Sequence, residues 1–404
     1  MKYDFTTALV RRGHDSAAED MVGSGAPNAA TAPKEGFDYI PMAVADMGFK
    51  TCPAIVERIK ERLEHPIFGY YRPRQEFFDG ILNWQKDRYG VELTQDCIGY
   101  EHGVHGGNVT ALRVLARQGD RILIHTPIYA SFLRNLKDLG YNAVCSPLIQ
   151  DENGVYRMNF EDMEEKIIAN KIHVLLFCSP YNPLGRVWER WELEKMMELC
   201  KKHDVYVISD EIWADFAFSG HKHIPLPSIS EDAKNRTIAM YAPSKTFNLA
   251  GLVGSYHVIH NKYLRDRFER EAALTHYNKM NLFSMYAFIG AYSAEGREWV
   301  DELVQVIEGN SKYATKYIRE HFEGVSVPEA QGTYVIFLDC TEWCKKHGKT
   351  LDELIHAGWD VGVGWQDGRG FGGECHIRMN LAQPSHRVEQ AFDRLTKYVF
   401  NAEW

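Results

Sequence analysis

No run in the chain approaches the roughly 18 apolar residues of a membrane-crossing helix. The first twenty residues, broken up by Asp4, Arg11, Arg12 and Asp15, lack the apolar centre of a secretory leader. Together these absences predict a cytoplasmic protein with no membrane partner. CxxC pairs are also missing. The eight cysteines (Cys52, Cys97, Cys145, Cys178, Cys200, Cys340, Cys344, Cys375) stand singly, which is neither a disulfide framework nor a zinc spacing, and they read as buried reduced thiols. There is no basic excess: a formal net charge of −9 excludes a nucleic-acid groove as the main business, because phosphate binding needs a basic surface. The glycine-rich stretch GVGWQDGRGFGG (residues 362–373) reads as a flexible loop and lacks the strand-GxGxxG-helix context of a dinucleotide site.

What is present is the composition of a globular protein, 45% hydrophobic and 25% charged, in 404 residues, enough for one large and one smaller core. Residues 23–34 (GSGAPNAATAPK) are small and aperiodic, so order is expected to begin near Phe37. Beyond that point, apolar runs of strand length alternate with amphipathic segments. The runs are RILIH at Arg121, HVLLFC at His173, VYVIS at Val205, TIAMY at Thr237 and SYHVI at Ser255; PAIVERIKERL and RWELEKMMELCKKH carry helical periodicity. Strands buried on both faces and joined by helices make a mainly parallel α/β sheet. After about Ala291 the pattern changes to a long helix, the strand YVIFLD and a closing helix, which predicts a second, α+β domain.

Ligands of open parallel sheets bind beyond the carboxyl ends of the strands. Three polar groups follow apolar runs here: Asn182 after HVLLFC, Asp210 at the end of VYVIS, and Lys245 after TIAMY. Each alone has a bland reading, as a turn, a helix cap and a surface cation. Together they bring an amide, a carboxylate and an amine to one crevice. Pyridoxal 5′-phosphate (PLP) needs such a set: an amine to bond its aldehyde and shuttle the substrate α-proton, and a carboxylate to keep the ring nitrogen protonated. It also needs an amide for the phenolic oxygen, an aromatic ring for stacking, and backbone N–H groups at a helix start for the phosphate.

The motifs Asn182-Pro183-Leu184-Gly185-Arg186, Asp210-Glu211-Ile212-Trp213, Ala242-Pro243-Ser244-Lys245-Thr246-Phe247-Asn248-Leu249-Ala250-Gly251 and His376-Ile377-Arg378-Met379-Asn380-Leu381-Ala382 resemble those of the PLP-dependent class I/II aminotransferases of fold type I. Within that family, APSKTFNLAG, Ala43-Val44-Ala45-Asp46-Met47 and Arg11-Arg12-Gly13 resemble the cystathionine β-lyase-like, carbon–sulfur lyase branch. The resemblance covers nearly the whole chain. It implies an N-terminal arm (1–47) packing with the small domain, a large domain (48–290) around a seven-stranded-type, mainly parallel sheet, and a small α+β domain (291–404). It also implies a homodimer with shared active sites and an amino acid as substrate. By it, Lys245 carries PLP as an imine, Asp210 meets the ring nitrogen, Asn182 the phenolic oxygen, and Arg378 clamps the α-carboxylate. Tyr129 stacks on the ring; Val104, His105 and Ser244 bind phosphate, with Tyr70 reaching the phosphate of the neighbouring subunit.

Trp213 stands where many relatives carry a tyrosine, Ala242 and Val253 where a serine and an arginine often bind phosphate, and Gly48 where an acid is common in this branch. His102 with His105, and His221 with His223, lack a third metal ligand beside them, so no metal is predicted. The branch implies C–S β-elimination on cystathionine or related cysteine S-conjugates, giving thiol, pyruvate and ammonia. Transamination between an L-amino acid and a 2-oxo acid stays open, because the cofactor supports both. A binding protein without turnover is the rival from another class, and the intact Lys245, Asp210, Asn182 and Arg378 speak against it.

Overall fold

The computed structural model describes residues 1–26 and 29–402. Residues 27 and 28, inside the stretch expected to form a loop, and the last two residues of the 291–404 segment lie outside the described residues. The apolar runs form the strands of a seven-stranded sheet. In chain order these are β1 (Ile98–Glu101), β2 (Arg121–Thr126), β3 (Asn142–Pro147), β4 (Val174–Cys178), β5 (Tyr206–Asp210), β6 (Thr237–Tyr241) and β7 (Ser255–Val258). Their order across the sheet is β1-β7-β6-β5-β4-β2-β3. All neighbours from β6 to β3 run parallel, while β7 is antiparallel to both β6 and β1. Every residue of β4 and β6 is buried, as a strand covered on both faces by helices requires. This topology sends the carboxyl ends of β1, β2, β4, β5 and β6 to one edge of the sheet, and the loops carrying the candidate residues leave from that edge.

A second sheet of three antiparallel strands, β8 (Val335–Asp339), β9 (Gln366–Asp367) and β10 (His376–Asn380), has the order β8-β10-β9. The N-terminal segment joins this region, since Ile40–Pro41 pairs in parallel with Val363–Gly364 and Asp38 is held by Arg387 and Arg394. No helix among the described residues is long and apolar enough to cross a membrane.

Two expectations fail. Order does not wait for Phe37: Phe5 is buried edge-on against Phe49 at 5.4 Å and against Trp299, and the Lys2 and Tyr3 N–H groups donate to Glu302. A single buried aromatic in a polar stretch leaves no periodicity to read. Nor is the glycine-rich stretch a free loop. It carries Val363–Gly364 and β9, and its Phe371 is buried with a carbonyl that accepts from Ile128 N–H at 2.8 Å.

Helix α1 (Pro53–Leu63) crosses the helix Leu282–Ala291 at Gly290, where an added Cβ would lie 2.7 Å from the Ala54 carbonyl oxygen and from Ile55 Cα. Both obstacles are backbone and cannot rotate away. Gly290→Ala gains about 1 kcal/mol in helix propensity. It loses more, about 1–3 kcal/mol, by forcing the helices apart. The expected outcome is a net loss of stability, read as a lower denaturant midpoint with an unchanged slope.

Candidate active site

At the carboxyl edge of the large sheet lies a cavity of about 190 Å³. Lys245 reaches it from the short helix Pro243–Thr246 that begins directly after β6, and its Nζ donates to the Ala45 carbonyl at 2.7 Å. Nζ also lies 5.7 Å from the centre of the Trp213 ring. Enclosure by the cavity walls, and secondarily the charge of Arg378, pull this amine down to about 8, with Asp46 and Asp210 pulling the other way. Trp213 is itself buried, set edge-to-face on Tyr334 at 4.5 Å. The Tyr334 hydroxyl donates to the same Ala45 carbonyl as the lysine, at 2.9 Å.

Asp210 closes the floor at the end of β5. Its Oδ1 accepts from Ile212 N–H at 3.2 Å and its Oδ2 from Asn108 Nδ2 at 3.1 Å. Burial pushes the carboxyl up to about 6, against the pull of those two donors and of Lys245.

Asn182, buried after β4, accepts at Oδ1 from Arg378 Nη1 at 3.3 Å, while its Nδ2 has no partner among the described residues. Arg378 stands on β10, donates from Nη2 to the Ala43 carbonyl at 2.9 Å, and lies 4.4 Å over the Phe371 ring. Its buried Nε has no partner among the described residues, and burial pulls the guanidinium down to about 10. It therefore remains charged at neutral pH.

Helix α2 (Gly103–Leu115) begins at the cavity mouth with Gly103 in the left-handed region, at φ +74°. That conformation aims the first turn, with Val104 and His105, at the cavity. The His105 ring sits 5.4 Å from Tyr129 and its Nδ1 is 2.9 Å from Asn135 Nδ2. Ser244 and Val253 also line the space. Val253 sits at φ +41°, a strained conformation for a β-branched residue.

The structure thus brings Lys245, Asp210, Asn182, Tyr129, Val104, His105, Ser244 and Trp213 to one cavity, with Arg378 touching Asn182 at its rim. Tyr70 does not line it and is fully exposed. At Gly48 a Cβ would fall 2.1 Å from Gln383 Oε1, so a larger residue there would have to displace the Gln383 side chain, whose Nε2 donates to the Pro41 carbonyl. Sequence reasoning missed Asn108, Tyr334 and the Ala45 carbonyl. The only trace of Asn108 was a polar residue following two glycines at the start of a helix. A larger cleft of about 850 Å³ lies elsewhere, between the helix Ala294–His321 and residues 326–331. Its charged side chains already pair with one another, Lys312 with Glu308 and Arg319 with Glu329, and it holds none of the candidate residues.

A doubly wound sheet with an amine, a carboxylate and an amide at its carboxyl edge defines the fold type I transferases. The chain belongs to the family described as Aminotransferase class I and II, whose model matches residues 38–395. It is 34% identical over 346 residues to the cystathionine beta-lyase PatB of Bacillus subtilis, covering 85% of this chain and 88% of that one. Among solved structures it resembles cystalysin from Treponema denticola, which contains a pyridoxal 5′-phosphate cofactor, with a TM-score of 0.90, 31% identity and 99% of each chain covered. It also resembles a PLP-bound putative aminotransferase from Clostridium difficile, with a TM-score of 0.89, 32% identity and coverage of 98% and 100%.

Proposed function

We propose that the protein is a PLP-dependent carbon–sulfur β-lyase that cleaves L-cystathionine or a related cysteine S-conjugate to a thiol, pyruvate and ammonia. The convergence of Lys245, Asp210 and Asn182 on one cavity beside Arg378 carries the cofactor reading, and the 34% identity to the cystathionine beta-lyase PatB supports β-elimination over transamination. The cavity fits the cofactor: an amine drawn down to about 8, an acceptor-only carboxylate on the floor, an amide with a free Nδ2, and a helix start aimed inward at Gly103. Bound PLP would supply an aldehyde for an amine and a ring that draws electron density from the substrate α-carbon.

Lys245 Nζ would hold the cofactor and would be the group placed to carry the substrate α-proton. The carboxylate of Asp210 would keep a proton on the ring nitrogen. Asn182 Nδ2 would donate to the phenolic oxygen, while its Oδ1 accepts from Arg378. Tyr129 would stack on the cofactor, and Trp213 walls the cavity beside Lys245. Backbone N–H groups of Val104 and His105, with the Ser244 hydroxyl, would hold the phosphate at the positive end of α2. Arg378 binds the α-carboxylate and so sets which substituent of the α-carbon faces Lys245. When the α-proton has gone to Nζ, the β-carbon–sulfur bond breaks, the thiolate leaves with a proton, and water completes the release of pyruvate and ammonia.

The reading includes a cytoplasmic homodimer in which Tyr70 reaches the partner's phosphate site. The exposure of Ile67, Phe68, Tyr70 and Leu274 supports it, since such an apolar surface asks for a cover, and sedimentation equilibrium checks it. The division at residues 47 and 290 stays part of the proposal, to be tested by limited proteolysis.

The deciding experiment incubates PLP-loaded protein with L-cystathionine in the absence of any 2-oxo acid and assays pyruvate, ammonia and thiol. Glutamate formed from an amino acid and 2-oxoglutarate, without thiol release, moves the assignment to an aminotransferase. A separate expectation concerns the cofactor-free protein. The neutral amine is the form that attacks an aldehyde, so the rate of PLP capture rises tenfold per pH unit and levels above about 8, instead of climbing to the ordinary lysine value of 10.5. Stopped-flow absorbance across pH reads the midpoint.

A further inference from the structure

Helix α2 opens with residues that form helices poorly. Gly106 and Gly107 follow Gly103 within a turn, and Asn108 comes next. The glycines have a reason in packing. A Cβ on Gly106 would lie 2.5 Å from the Tyr277 ring, and one on Gly107 2.7 Å from Met240 Sδ, so a side chain at either position would force one of those neighbours to move. Asn108, the next residue, reaches the Asp210 carboxylate at the end of β5.

Asn108 has no comparable reason. It is 3% exposed, its Oδ1 has no partner among the described residues, and an aliphatic residue of the same size would suit a helix–sheet contact better. Its one polar contact is Nδ2 to Asp210 Oδ2 at 3.1 Å. We propose that Asn108 is a positioning residue for Asp210, pinning one carboxylate oxygen so that the group is presented in a fixed orientation to the ring nitrogen of the cofactor. This rests on the reading of the cavity as a PLP site.

The groups facing Asp210 show why a donor there matters. Burial and the neighbouring Glu211 disfavour its charge; Lys245 from the short helix and the Ile212 N–H support it, and the Cys178 thiol at the end of β4 stays uncharged beside it. Asn108 is the remaining donor and, among the described residues, the only side chain that donates to the carboxylate. Without it Asp210 takes up a proton nearer neutral pH and leaves the ring nitrogen unpaired.

The test titrates apo-protein with PLP, followed by the Lys245-dependent visible absorbance, at several pH values from mildly acid to mildly alkaline. It compares wild type with Asn108→Leu, which matches in size but lacks the donor, and Asn108→Ser, which keeps one. Asn108→Leu is expected to bind PLP roughly ten- to a hundredfold more weakly, the range for a hydrogen bond to a charged group. The deficit should widen as pH falls, and Asn108→Ser should recover part of it. A folded Asn108→Leu with wild-type affinity and pH dependence overturns the proposal. So does a loss of affinity that is equal at every pH and tracks thermal stability, which is what packing alone would give. Absence of the absorbance in wild type overturns the cofactor reading and the role of Asn108 together.

Discussion

Lys245→Ala is expected to abolish turnover, by about 10⁴-fold or more, and to remove the visible absorbance of PLP bound as an imine, while the protein remains folded. Proton transfer by a placed side chain is worth about 10²–10⁴ on its own, and in the proposed function the same amine also holds the cofactor. No second amine lines the cavity among the described residues. The remaining base, His105, is held below its usual range chiefly by burial and hydrogen-bonds Asn135, so it is not placed to substitute. The fold should tolerate the change. The Nζ contact is a single bond to the Ala45 carbonyl, which Tyr334 continues to satisfy, and removing a half-enclosed amine relieves a desolvation cost. Activity, absorbance and thermal midpoint measured together check this, and partial rescue by an added small primary amine would tie the loss to the missing nitrogen. Full turnover in the variant would remove the lysine from the chemistry.

Much of this site was legible because its parts follow strands that were themselves legible. HVLLFC, VYVIS and TIAMY are uninterrupted apolar runs, and a run buried on both faces has a strand's length and no alternation to confuse it. Once those three strands are parallel, Asn182, Asp210 and Lys245 must leave from the same edge. In the large sheet the strands left unread were β1 and β3. Ile98–Glu101 is short and ends in a charged residue, and Asn142–Pro147 lies at the sheet margin with half of its residues exposed, so neither carries a continuous apolar signal. What the sequence could not convey was contact between distant segments. The Ala43–Asp46 backbone offers its carbonyls to Lys245, Tyr334, Arg378 and Asn380, and backbone acceptors have no residue type to recognise. Phe371, within a glycine-rich stretch, stacks on Arg378 and escaped notice for a like cause: its partner is a side chain on a separate element, β10.

Arg378→Lys is expected to lower kcat/KM by about 10²–10³-fold, mostly through KM, although the charge is formally kept. The guanidinium spends Nη1 on Asn182 and Nη2 on the Ala43 carbonyl, and these bonds fix its plane while Nε has no partner among the described residues. A carboxylate meeting that plane gains parallel charge-assisted bonds. A lysine offers a point charge on a flexible stem, and the burial that brings Arg378 down to about 10 would discharge an ammonium much more readily. Losing one member of a buried charged contact costs about 2–5 kcal/mol. At 1.4 kcal/mol per factor of ten that brackets the expected fall. The split between parameters follows from the role proposed for the arginine. An α-carboxylate held alike before and during bond breaking contributes to binding more than to the rate of a step, so its loss appears mainly in KM. Steady-state kinetics on Arg378→Lys and Arg378→Ala, with PLP content measured alongside, separates the cases. A fall confined to kcat would show instead that Arg378, by releasing Asn182 Oδ1, acts on the orientation of the reacting bond.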